Sequence, residues 1–185
     1  MRRLPSIIAI FLINFIFVAL ILMAMGFRLN LTNSIPVGLY RITNLTSLKN
    51  SFVIFCPDDR LAFKQGLERH YINYGLCPGS YGYLMKKVVG IAGDKVTIST
   101  EGVFINQKII PLSKPKLIDG MHRTLPQWRT VNYQLKEDEI MTMTSQSEWS
   151  FDGRYYGPVH LRQIKGVITP IWVKPTLRKK ADTGD

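Results

Sequence analysis

Residues 7–26 read IIAIFLINFIFVALILMAMG, with no charge and a single amide, Asn14. Roughly 20 apolar residues are what a helix needs to cross a bilayer core. The run predicts an uncleaved transmembrane anchor. The alternative is a cleavable signal peptide, because Ala24-Met25-Gly26 puts small residues where a cut would fall. Beyond this run the apolar residues come in short, strand-like groups. Residues 39–42 and 51–55 predict strands, with a polar loop at 43–47 between them. Pro57-Asp58-Asp59 predicts a helix start, its acidic residues suited to the N-terminal end of the dipole. Leu61, Phe63, Leu67 and Tyr71 give that helix an apolar face, Gly66 weakens it, and Gly75 marks its end. A turn-rich stretch at 78–82 leads into a strand over 83–89 that Lys86 and Lys87 interrupt. Residues 95–99 and 102–105 predict a hairpin around Thr100-Glu101, and Asn106-Gln107 turns the chain into 108–110. Residues 111–126 read as a polar surface excursion, 139–144 and 164–173 as further strands. The expected architecture is a mostly β domain with a short helix, on one N-terminal transmembrane helix. Its parts are an N-terminus at 1–6, an anchor at 7–26, a domain at 27–174 and a basic, polar tail at 175–185.

Composition changes this picture in two places. At 46% hydrophobic and 11% aromatic, the 185-residue chain can build a real core. Its formal charge of +11 would suit nucleic acid, but the basic residues are scattered and carry no zinc-finger spacing or phosphate loop. Anionic lipid headgroups beside a tethered domain account for the charge more simply. Arg2 and Arg3 precede the anchor, so the positive-inside rule puts the N-terminus in the cytoplasm and the domain outside. Cys56 and Cys77 suit an oxidising exterior and fit no zinc motif and no CxxC. A disulfide between them is expected, with two free thiols as the alternative.

Most familiar catalytic constellations are missing. There is no GxSxG elbow and no HExxH, and nothing marks His70, His122 or His160 as part of a triad. No metal site and no cofactor is expected. Ser34 stands out because Pro36 biases Ile35 towards extended backbone and Gly38 permits a close backbone approach. The serine therefore sits on a stiff, non-helical segment, although turn serines are common. A neutral lysine can take a serine proton, and Lys86 and Lys87 lie among apolar residues on one strand. Periodicity does not choose between them, since Leu84 and Val88 flank one face, Met85 and Val89 the other.

Asn33-Ser34-Ile35-Pro36-Val37-Gly38-Leu39-Tyr40 resembles the nucleophile box of the serine–lysine signal peptidase family. Lys86-Lys87-Val88-Val89-Gly90-Ile91-Ala92-Gly93-Asp94 is similar to that family's lysine box, and Ser150-Phe151-Asp152-Gly153-Arg154 to its last box. The short form of the first box and the cysteine pair look most like the conjugative-transfer branch, the TraF-type peptidases. The resemblance implies Ser34 as nucleophile and Lys86 as general base, with Thr32 supporting the oxyanion. It implies that Ser150 bonds the lysine and that Asp152 and Arg154 form a supporting ion pair. Gly153 stands where the family usually has serine, a change expected to be harmless. The Gly-Asp-Asn-Arg run of housekeeping enzymes is replaced by Ser145-Gln146-Ser147-Glu148-Trp149, which favours the specialised branch. The implied partners are a pilin-type or other exported precursor and membrane lipid, at the bacterial inner membrane with the domain in the periplasm. A housekeeping signal peptidase is one alternative. A catalytically silent, membrane-tethered β module that binds secretion components is another, and wide separation of Ser34 and Lys86 would favour it.

Overall fold

A computed structural model describes residues 3–44, 47–144 and 146–175. Arg2, Ser145, part of the 43–47 loop and nearly all of the expected tail lie outside those residues. Helix α1 (Arg3–Ala24) contains an 18-residue stretch, Ile7–Ala24, of mean hydropathy 3.0 that none of the described residues covers. Side chains such as Phe11 and Phe15 are more than two-thirds exposed, which water penalises and hydrocarbon does not. Arg28 closes the helix end by donating from Nη1 to the carbonyls of Met23 and Phe27, both at 2.7 Å.

The strands that follow are β1 (Phe27–Asn30), β2 (Gly38–Thr43) and β3 (Phe52–Phe55). After the short helix α2 (Leu61–Glu68) come β4 (Leu84–Gly90), β5 (Lys95–Ile98), β6 (Val103–Ile105) and β7 (Lys108–Ile109). The chain ends with β8 (Thr130–Gln134), β9 (Glu139–Met143), the single turn α3 (Gly153–Tyr156), β10 (Val159–His160) and β11 (Ile164–Val173). Seven strands form one antiparallel sheet in the order β1-β2-β11-β3-β4-β9-β10. The other four form a second sheet, β7-β6-β5-β8.

Every residue of β9 is buried because two cores meet on it. Ile140 packs with Val53, Phe55, Phe63 and Tyr156, while Met141 and Met143 pack with Val96, Ile98, Val103 and Ile105 of the second sheet. Strands covered on both faces read as unbroken apolar runs, and Glu-Ile-Met-Thr-Met is close to one.

Helix α2 begins later and ends sooner than its pattern predicts. Asp58, expected to favour the helix N-terminus, instead accepts from the Arg60 amide at 3.2 Å and from Arg60 Nε at 2.8 Å. That bond holds Arg60 extended, and the helix starts after it. Beyond Glu68 the amides of Tyr71 and Ile72 both turn back to the Gly66 carbonyl, at 2.8 and 3.0 Å. Tyr71 thus leaves the helix and is free to serve elsewhere.

Cys56, just after β3, is bonded to Cys77 with a Cα–Cα separation of 5.5 Å. The bond staples α2 and the turn behind it to the main sheet. Closing a loop of about 20 residues stabilises by about 3 kcal/mol in the chain-entropy model. Alkylating the folded protein without reduction is expected to label neither cysteine. Full labelling would mean that the bridge does not form.

Candidate active site

The β1–β2 hairpin presents Ser34. Asn30 and Gly38 are register partners, so residues 31–37 form the hairpin's connection with Ser34 at its middle. Two side chains stiffen that connection. Asn30, only 4% exposed, donates from Nδ2 to the carbonyls of Thr32, Ile35 and Pro36 at 2.9–3.1 Å. Tyr40 donates its hydroxyl to the Pro36 carbonyl at 2.6 Å. Position 38 admits only glycine, because a Cβ there would collide with the backbone of Trp172 in β11.

Strand β4 supplies the lysine. It pairs with β3 through Lys86 opposite Val53, and its inward face carries Lys86, Val88 and Gly90. Lys86 is 2% exposed, whereas its neighbour Lys87 stays half-buried on the other face. Burial drives the Lys86 amine down from 10.5 to about 8. The Asp152 carboxylate partly restores it, and Arg154 lowers it again.

Lys86 Nζ lies 2.7 Å from Ser34 Oγ and 2.6 Å from Ser150 Oγ, and the two hydroxyls are 3.3 Å apart. As an ammonium it donates to both. Once it loses a proton, its lone pair can accept from Ser34 while an N–H still donates to Ser150. That arrangement points the lone pair of the neutral amine at the Ser34 hydroxyl.

Asp152 and Arg154 lie behind this triangle, both at 0% exposure. Arg154 Nε donates to Asp152 Oδ1 and Nη2 to Oδ2, each at 2.8 Å. Asp152 also accepts the Thr144 amide at 3.3 Å and so fastens both ends of the loop that carries Ser150. Arg154 Nη1 reaches the carbonyls of Leu112, Lys114 and Glu148 at 3.0–3.3 Å. Glycine at position 153 is required by packing, since a Cβ there would lie 2.7 Å from the Thr142 carbonyl. Thr32 is the exception among the expected residues. It is exposed, and its hydroxyl donates to Asn30 Oδ1 at 2.8 Å rather than towards Ser34.

Asn30 was not singled out by its sequence context. The available signal was an amide closing a short apolar strand just before a serine-proline turn. The three histidines sit elsewhere, His160 pairing with Asp138 at 2.8 Å, and none lines the cavity around Ser34. That cavity measures about 550 Å³ and runs from Ser34, Lys86 and Ser150 to a wall that includes Tyr71, Asp119 and Leu125.

The family described as "Signal peptidase, peptidase S26" matches residues 1–173. A "Plasmid transfer protein TraF" from Escherichia coli is 43% identical over 148 residues, 80% of this chain and 83% of that protein. A "Conjugal transfer protein TraF" from Agrobacterium tumefaciens (strain 15955) is 31% identical over 149 residues, 80% of this chain and 82% of its own. Among solved structures, a signal peptidase I from Enterococcus faecalis V583 aligns over 69% of this chain and all of its own, at 15% identity and a TM-score of 0.40.

Proposed function

Because the chain belongs to the peptidase S26 signal peptidase family, we propose that it is a membrane-anchored serine endopeptidase with Ser34 as nucleophile and Lys86 as general base. The contact between the nearly inaccessible Lys86 amine and Ser34 Oγ, at 2.7 Å, carries this reading. Ser34 attacks the scissile carbonyl while its proton passes to neutral Lys86. The resulting ammonium gives that proton to the departing amine, and the acyl group stays on Ser34. Water, deprotonated by Lys86, then releases it.

The Ser34 amide has no hydrogen-bond partner among the described residues and is the first oxyanion donor. Losing such a donor typically costs about 3–4 kcal/mol of transition-state stabilisation. For Thr32 to add a second, its hydroxyl must rotate away from Asn30 about one side-chain bond. Ser150 orients the amine, and the Asp152–Arg154 pair fixes the loop that carries Ser150. The silent-module alternative called for a wide gap between Ser34 and Lys86, and their contact speaks against it.

The relatives are named for plasmid and conjugal transfer, which supports a substrate belonging to a transfer system. We assign the enzyme to cleavage of the leader or terminal segment of an exported, pilin-type precursor in a conjugation or type IV secretion system. The α1 anchor crosses the inner membrane with its N-terminus in the cytoplasm. The domain from residue 27 to 174 then works at the periplasmic lipid surface. Ser34→Ala is expected to yield a folded, membrane-bound protein that accumulates uncut precursor, read by mass spectrometry of the co-expressed pilin. Normal processing by that variant would end the peptidase reading.

A further inference from the structure

The cavity of about 550 Å³ extends well beyond Ser34 and Lys86, and its far wall has a distinct chemistry. That wall is built by the disulfide-stapled segment after α2 and by a small hairpin, residues 117–125. Within the hairpin Ile118 bridges to Thr124, and the Leu125 amide donates to the Leu117 carbonyl at 2.9 Å. Tyr71 joins the two elements. Its hydroxyl donates to Asp119, whose Oδ2 also accepts Arg123 Nε at 2.7 Å. The Arg123 guanidinium lies 5.6 Å from the centre of the Tyr71 ring. The same ring meets Phe151 at 5.3 Å, and Phe151 stacks on Tyr155 at 5.6 Å. Because Phe151 directly follows Ser150, this aromatic alcove is continuous with the dyad.

The Tyr71 hydroxyl and the Asp119 carboxylate of the alcove are already bonded to each other and to neighbouring groups. The Tyr71 hydroxyl goes to Asp119, and Asp119 also takes the amides of Met121 and Arg123 at 2.8 Å. The Tyr155 hydroxyl accepts the Lys116 amide at 3.2 Å. A polar guest would give up its water against a wall that is mostly aromatic and aliphatic, whereas an apolar guest has no such cost.

The sheet also shows how a substrate reaches this wall. β9 pairs with β4 only from Lys87 onwards, so that among the described residues no strand pairs with the Leu84–Lys86 side of β4. A chain laid along that side runs from Lys86 towards Tyr83. The next residue back, Gly82, bonds to the Asn73 carbonyl beside Tyr71. At about 3.3 Å per residue, a side chain roughly two to four positions from the scissile bond arrives at Tyr71.

Resting on the peptidase reading above, we propose that the Tyr71–Phe151–Leu125 alcove is a subsite for one large apolar or aromatic side chain of the substrate.

The test measures binding of short synthetic peptides to full-length Ser34→Ala protein in detergent micelles. Each position around the intended cut is varied in turn among alanine, aspartate, lysine, leucine and phenylalanine. At one position about two to four residues from the bond, phenylalanine or leucine is expected to bind about tenfold tighter than alanine. Aspartate and lysine there should gain nothing. Adding Tyr71→Ala should bring the phenylalanine peptide down to the alanine one, while Tyr71→Phe should keep the preference. A peptide carrying a photoreactive phenylalanine at that position should crosslink to residues 71–73 or 125, whether or not the alanine variant folds. Equal binding of all peptides, or adducts mapping elsewhere, would overturn the subsite. Cleavage by the wild-type protein is scored apart: peptides bound with this preference and never cut contradict the peptidase reading and leave the subsite standing.

Discussion

Replacing Lys86 with methionine is expected to abolish processing and yet to raise the melting temperature at pH 7. The unfolded chain keeps the lysine proton up to about 10.5, whereas the folded protein releases it near 8. Between those values the unfolded state binds more protons, so stability rises with pH, and below about 8 the full cost of a buried ammonium is present. That shift of two to three pH units corresponds to roughly 3 kcal/mol. Two hydrogen bonds to Ser34 and Ser150 offset it by about 1 kcal/mol each. Methionine fills much of the same volume without a charge, so a net gain of about 1 kcal/mol is expected, or roughly 2–4 °C in Tm. Lys87 lies on the opposite face of β4, and Lys87→Ala should retain much of the activity. An active Lys86→Met or Lys86→Ala protein beside a dead Lys87→Ala one would reverse the assignment.

The second large effect is on folding. Arg154→Met should destabilise the domain by about 3–5 kcal/mol, because it leaves the Asp152 carboxylate buried with no counter-charge. It also frees the carbonyls of Leu112, Lys114 and Glu148, which unpins the 111–126 excursion and the Ser150 loop together. Removing both charges, as Asp152→Asn with Arg154→Met, should recover a substantial part of the loss. Thermal unfolding of both variants in the same detergent checks this. If the single variant melts within a degree or two of wild type, the pair is not what holds the loop.

Much of this molecule was legible in its residues, though unevenly. The apolar run to Gly26, the strands at β2, β3, β4, β9 and β11, and the hairpin at β5–β6 follow from local pattern alone. The choice of Lys86 over Lys87 does not, since β4 is flanked by apolar residues on both faces. Burial against β3 and β9 decides it, and that is tertiary information. β1 went unseen because Phe27–Asn30 is too short to separate from the apolar run before it. β8 exposes much of its length and shows little alternation. The 111–126 segment reads as polar surface, and its sequence does not reveal that Arg154, Arg69 and Tyr155 tie it down. The end of α2 was misjudged for a similar reason, because Tyr71 has helical spacing but turns away to meet Asp119.

The measurement that bears most directly on a Ser34–Lys86 dyad is the pH dependence of kcat/KM on a cleaved precursor peptide. The base must be neutral to act, so activity should climb with pH through an acid limb near 8, the value burial imposes on Lys86. The limb should remain in place when His70, His122 and His160 are each replaced. A profile flat from about pH 6 to 9, or a limb near 6.5 that vanishes with one of those histidines, would contradict a lysine base.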